Sequence, residues 1–150
     1  RARPRAGLEL LLAMTLVGLT GAAQVAPFYE PMKDSRVLAS EILAQRKPGE
    51  RVAVYGTLES SSALPFYLRE PVVVAGHFFG ELDMAKNAPK GDEASRFLDP
   101  SGIQKWMVPG QPRAWFVTQQ NVYDEYFAPH PHFHLRVVRR HGNRLLFTNQ

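Results

Sequence analysis

Cysteine is absent from this 150-residue chain, which excludes a disulfide framework, a thiolate zinc site and a cysteine nucleophile together. Spaced glycines are missing too. No turn carries the fingerprint of a dinucleotide-binding or phosphate-cradling loop, and no serine has the flanking glycines of a nucleophile elbow. There is neither an internal repeat nor a low-complexity tract. With 45% hydrophobic and 21% charged residues the composition is that of a globular chain, and the length is that of one folded domain.

The net charge of +4 is not gathered on one stripe. Arg1, Arg3 and Arg5 open the chain and Arg136, Arg139, Arg140 and Arg144 close it. The eighteen Lys and Arg less these seven leave eleven against fourteen acidic residues, so the body between the ends stands at −3. Nucleic-acid binding needs basic and aromatic residues interleaved on a face, and that pattern does not occur. The charge excludes nucleic acid as a partner.

The opening RARPRAGLELLLAMTLVGLTGAAQVAPFYEP places a basic cluster before twenty uncharged residues, Leu10 to Tyr29. At about 1.5 Å per residue, a helix of that length matches a hydrocarbon core of about 30 Å. Residues 1–30 are therefore expected to be a cytoplasmic basic end and a transmembrane helix, with 31–150 an extracytoplasmic domain on the periplasmic or extracellular side of a bacterial inner membrane. A cleaved secretory signal, with LLLAMTLVGL as its apolar stretch and Gly21-Ala22-Ala23 at its end, has the same consequence for sidedness. Without an initiating methionine, the chain reads as an excerpt that begins in a cytoplasmic loop.

Beyond Pro31, KDSRVLASEILAQRKPGE predicts a helix capped at Asp34 or Ser35, with Leu38, Ala39, Ile42 and Leu43 on one stripe and Pro48-Gly49 as its stop. RVAVYG and PVVVAG read as strands with a short LPFYL helix between them. Their separation of about fifteen residues exceeds a tight hairpin and predicts a parallel pair. HFFGELDMAKNAPKGDEAS is rich in turn residues. Asp99-Pro100-Ser101 starts a helix bearing Ile103, Trp106 and Met107, RAWFVT is a third buried strand, and NVYDEYFA is a short helix. HFHLRVVRR and RLLFTN, joined through HGN, form a terminal hairpin. The expected fold class is α/β: an N-terminal transmembrane helix, then a small two- or three-layer domain with a mostly parallel sheet and a C-terminal β-hairpin.

The turn from Gly56 to Ser62 follows the first strand, at the carboxyl end where open α/β sheets place ligands. Ser60 and Ser61, with Tyr67, are candidate substrate-contacting residues, although the same hydroxyls can simply cap a helix. Glu81 and Asp83, two apart, face one way on an extended segment and can do acid/base work or grip sugar hydroxyls. His130, His132 and His134 share a face if extended, and three imidazoles can hold zinc. Pro129 and Pro131 and the lack of an adjacent acidic residue favour a solvated face with no metal. His77 and His141 read as solvated, and Tyr55, Tyr67, Trp106 and Trp115 as core aromatics. No cofactor is expected.

A membrane helix, the entry KDSRVLA, a strand, SSALPFYLREPVVV, then GELD, a Trp-bearing helix, AWFVT and a closing RLLFTN resemble, in this order, the C-terminal extracytoplasmic domain of C-type membrane glycosyltransferases. The likeness is to the bacterial dolichyl-phosphate-mannose protein mannosyltransferase-like enzymes, including the lipid A aminoarabinose transferases. It runs from about Arg5 to Asn149, and its most specific part is Ser62 to Val74, with Phe66-Tyr67-Leu68-Arg69, followed by Gly80-Glu81-Leu82. The resemblance implies transfer of a sugar from a polyprenyl-phosphate carrier to a lipid or protein acceptor. It also implies a catalytic carboxylate in an early loop, so no catalytic residue is expected among these. The alternative is a stand-alone secreted or single-span, membrane-anchored α/β binding module without catalytic activity.

Overall fold

The computed structural model describes residues 4–56, 61–76 and 96–149, and within the first helix the side chains of 7–8 and 11–24. The chain divides into two compact units, Arg1–Met32 and Lys33–Gln150.

The first unit holds α1, Pro4–Lys33, which starts with proline in its first turn, where no backbone N–H partner is lost. Its described apolar side chains point in every direction around the axis: Leu8, Leu11, Leu12, Met14, Leu16, Val17 and Leu19 are 59–72% exposed. The hydroxyls of Thr15 and Thr20 donate back to the carbonyls of Leu11 and Leu16 (2.9 and 2.7 Å). Among the described residues no helix is long and apolar enough to cross a membrane.

The second unit is built on a sheet of order β3-β2-β1-β4-β6-β5. Its strands are β1 Arg51–Tyr55, β2 Val73–Ala75, β3 Phe97–Leu98, β4 Ala114–Gln119, β5 Arg136–His141 and β6 Arg144–Thr148. The pairs β1–β2, β1–β4 and β2–β3 are parallel, and β6 runs antiparallel to both β4 and β5. The expected parallel pair and the terminal hairpin are both present, the hairpin turning through Gly142 at φ +58°. The two-residue strand β3 was not foreseen.

The central strands are apolar at nearly every position because both faces are covered. On one face Val52, Val54, Trp115, Val117 and Leu146 pack with Leu38, Ala39 and Ile42 of α2 (Arg36–Gln45) and Leu64 and Leu68 of α3 (Leu64–Leu68). On the other, Ala53, Tyr55, Phe116, Leu145 and Phe147 meet Ile103 and Met107 of α4 (Pro100–Met107), with Val122 and Tyr123 of α5 (Gln120–Tyr126) and Phe127 packed alongside. The domain therefore has three layers. Leu43, expected on the buried stripe of α2, is 56% exposed instead, because it stands about 100° around the helix from Ile42.

The caps differ in kind. Asp99 accepts from the Gly102 amide (2.6 Å) and from the Ser101 hydroxyl (3.0 Å), a true side-chain N-cap. Ser35 precedes α2 without a capping bond, while Asp34 Oδ1 accepts from the Arg36 amide (2.8 Å). The Ser35 hydroxyl is turned to other use: it accepts from Nη1 of Arg144 (2.7 Å), a fully buried guanidinium.

Candidate functional site at the carboxyl ends of the parallel strands

From β1 the chain passes through α3 to β2 on one side, and from β3 through α4 it returns to place β4 on the other side of β1. The helix after β1 lies on one face of the sheet and the helix after β4 on the opposite face. The carboxyl ends of β1 and β4 are thus the switch point, where neighbouring connections diverge and leave a crevice in open α/β sheets.

At this edge the Thr118 hydroxyl donates to the Tyr55 carbonyl (2.9 Å, buried), closing the space between the two strands. The Tyr55 ring meets Phe127 edge-on at 4.8 Å and lies 6.5 Å from Tyr126, a ring that is 44% exposed. Burial, reinforced by Tyr126, pushes the Tyr55 phenol above its ordinary value, so it stays protonated at neutral pH and serves as a neutral hydrogen-bonding group. Tyr123 is likewise raised by burial, with Arg140 acting against the shift. The described residues of this edge offer hydroxyls and ring faces, with Arg140 and Asp124 near enough to act on Tyr123.

Both strands β1 and β2 end in glycine for a steric reason. Gly56 and Gly76 have φ of +100° and +112°, and a Cβ on Gly76 would stand 3.2 Å from the Gly56 nitrogen. Their amides extend the ladder, Gly56 donating to Ala75 (2.9 Å) and Gly76 to Leu98 (3.1 Å). The chain continues from them into 57–60 and 77–95, where Ser60, Glu81, Asp83 and His77 fall outside the described residues.

Of the other candidates, Ser61 is 1% exposed and its hydroxyl has no hydrogen-bond partner among the described residues. Tyr67 packs against the core of the first face, with the Arg36 guanidinium 5.5 Å over its ring. Tyr55 belongs to the second face, so the sheet stands between the two phenols.

The histidines do not form the extended face considered from their spacing. Pro131–Phe133 is a single 3-10 turn, His134 is left-handed at φ +50°, and β5 begins only at Arg136, four residues beyond the expected hairpin start at His132. Two prolines flanking His130 remove ladder donors and force the turn. His130 and His132 meet edge-on at 5.5 Å and both lie against Phe133, at 5.7 and 4.2 Å. All three imidazoles are exposed. Among the described residues no group of three or more His, Asp or Glu is placed to hold a metal ion.

Sequence reasoning located the turn after β1 but treated Tyr55 as core alone and did not single out Tyr126. The available signal was the repeated ending of RVAVYG and PVVVAG, where two buried strands close on a glycine side by side.

Fold and strand order together define a class: a mixed α/β domain with a six-stranded, mostly parallel sheet, a switch point between β1 and β4 and a hairpin completing the sheet. In three dimensions the chain is similar to ArnT, a lipid A aminoarabinose transferase of the C-type glycosyltransferases. It matches ArnT from Cupriavidus metallidurans bound to undecaprenyl phosphate with a TM-score of 0.60 and 24% identity, over 80% of this chain and 20% of that one. The apo form of the same protein gives a TM-score of 0.60 and 25% identity over the same shares. The chain thus spans about a fifth of the length of those proteins. No protein-family model matches the sequence, and no curated protein does so either.

Proposed function

We propose that this chain is the last membrane helix and outward-facing domain of a membrane glycosyltransferase that moves a sugar from a polyprenyl-phosphate carrier to a lipid or protein acceptor. The observation that carries the reading is the likeness of 80% of the chain to ArnT, a protein seen bound to undecaprenyl phosphate. A second observation supports the membrane part: seven large apolar side chains of α1, Leu8 to Leu19, are exposed along it, a stretch suited to apolar surroundings although no helix among the described residues is long and apolar enough to cross a membrane by itself. The threonine hydroxyls along it are satisfied within the helix, which lowers the cost of an apolar surrounding.

In this reading the second unit faces the periplasm of a bacterial inner membrane and contributes no catalytic carboxylate. Ser60, Glu81 and Asp83 are its contacts to substrate, with the protonated phenol of Tyr55 as a further hydrogen-bonding group.

The test is transfer itself. Membranes containing the whole gene product are supplied with polyprenyl-phosphate-linked radiolabelled sugars and a lipid acceptor. Labelled acceptor is expected, and removal of residues 34–150 should reduce it to background. Sidedness is read in the same membranes from Gln104→Cys, placed in a whole gene product whose cysteines outside these 150 residues are replaced by serine, which an impermeant maleimide should label in intact spheroplasts. Labelling only after lysis, or a gene product with no further spans and no transfer, overturns the proposal and favours a membrane-anchored binding module.

A further inference from the structure

One surface of the second unit is apolar and cationic where a free surface would be polar. Phe66, on the short helix α3, is 79% exposed. Its ring meets Tyr67 edge-on at 5.5 Å, and Pro65, Phe66, Tyr67 and Arg69 line a shallow groove of about 570 Å³. The Arg36 guanidinium covers the other side of Tyr67. Arg36 also borders a second groove of about 350 Å³ that reaches Arg139. Arg69 closes α3 in a left-handed conformation, φ +56°, and it is exposed. Arg36 and Arg69 therefore stand beside the two aromatic rings. Among the described residues, the acid lining the grooves is Glu41, 3.7 Å from Arg139.

Arg36 is also the third residue after Lys33, the end of α1. The cationic aromatic surface thus begins at the point in sequence where the apolar helix stops. Aromatic rings with arginines are the residue set of a membrane–water interface: rings settle at headgroup depth and cations are attracted to an anionic surface.

Resting on the reading of α1 as a membrane helix, we propose that the Phe66–Tyr67–Arg69–Arg36 surface docks on the anionic phospholipid headgroups of the membrane that holds α1. Phe66 enters the interface, Tyr67 and Pro65 line its edge, and Arg36 and Arg69 pair with lipid phosphates. The domain is thereby held against the bilayer.

Because these 150 residues hold no thiol, single cysteines can be placed within them without background. The full chain bearing Phe66→Cys or Leu16→Cys, each carrying a nitroxide, is reconstituted in vesicles of phosphatidylcholine alone or with phosphatidylglycerol. Collisions with oxygen, which partitions into lipid, are compared with those of a water-soluble nickel chelate. The label at 66 is expected to favour oxygen several-fold more with phosphatidylglycerol present, and to lose that gain on Arg36→Glu with Arg69→Glu while circular dichroism is unchanged. A label on Arg69→Cys should follow the same trend, which guards against a local defect at 66. If the label at 16 favours oxygen while those at 66 and 69 stay open to nickel in both vesicles, the docking surface is wrong and the membrane helix stands. Labels at 66 and 69 shielded from both reagents indicate a protein cover and also overturn it. If the label at 16 itself favours nickel, the membrane reading falls and the docking surface falls with it.

Discussion

Asp99 is a single carboxylate whose work is visible in its bonds. The Gly102 amide and the Ser101 hydroxyl hold its acid form below the ordinary value of 3.8, and Lys105 adds to the effect. A group with a depressed folded pKa contributes stability above its unfolded value and loses it as pH falls through the folded one. The difference in Tm between the natural chain and Asp99→Asn, which caps but does not titrate, is therefore expected to be larger at pH 7 than at pH 3. Equal differences at both, by circular dichroism, would show that the cap does not act through its charge. Arg144 presents the opposite case. Burial depresses its pKa and Asp34 acts against the shift, while its bond to Ser35 spans 109 positions of sequence, a contact that no local pattern announces.

The elements are fastened to one another by few polar links, and Asn149 makes three of them. Its Oδ1 accepts from the Ala114 amide at the start of β4 (2.9 Å), and its Nδ2 donates to the carbonyls of Trp106 (2.7 Å) and Pro112 (3.1 Å). One side chain beyond β6 thus ties β4 to the end of α4. Asn149→Ala leaves a buried amide unanswered and is expected to cost about 1–3 kcal/mol, read as a lower urea midpoint. Asn149→Asp should do at least as much harm, since it turns two donors into an acceptor facing carbonyls. An unchanged midpoint in both would remove the brace. The edge strands are managed differently: β3 is two residues long, and β5 carries Arg136, Arg139 and Arg140 along the open edge, which discourages pairing with another chain.

Considered whole, the second unit is two cores divided by one sheet, and Phe147 is the hub of the second. Its ring stacks on Phe116 at 5.2 Å and meets Tyr123 at 5.0 Å and Phe127 at 5.3 Å. Phe147→Ala is expected to destabilise by about 3–5 kcal/mol, a large part of the roughly 5–15 kcal/mol that holds a domain folded. It should also loosen the Tyr55 edge through Phe127. Retention of the natural urea midpoint would show that the hairpin is an accessory rather than part of the core.

Much of this was legible from residues alone, and the reason is local. Buried strands such as RVAVY and AWFVT announce themselves because both faces are covered. Asp99-Pro100 starts a helix by its own bonds, and the length of the connection between β1 and β2 leaves parallel pairing as the natural choice. Leu43 and the start of β5 were misplaced because each turned on a single residue's angle or on the prolines around His130. The order of the strands lay beyond any such reading. That β4 returns beside β1, and that β6 rather than β5 lies against it, is decided by which apolar faces bury one another across tens of residues. That choice packs Tyr55 against Phe127, seats Arg144 on Ser35 and brings Arg36 over Tyr67, because side chains distant along the chain become neighbours only after the sheet has closed.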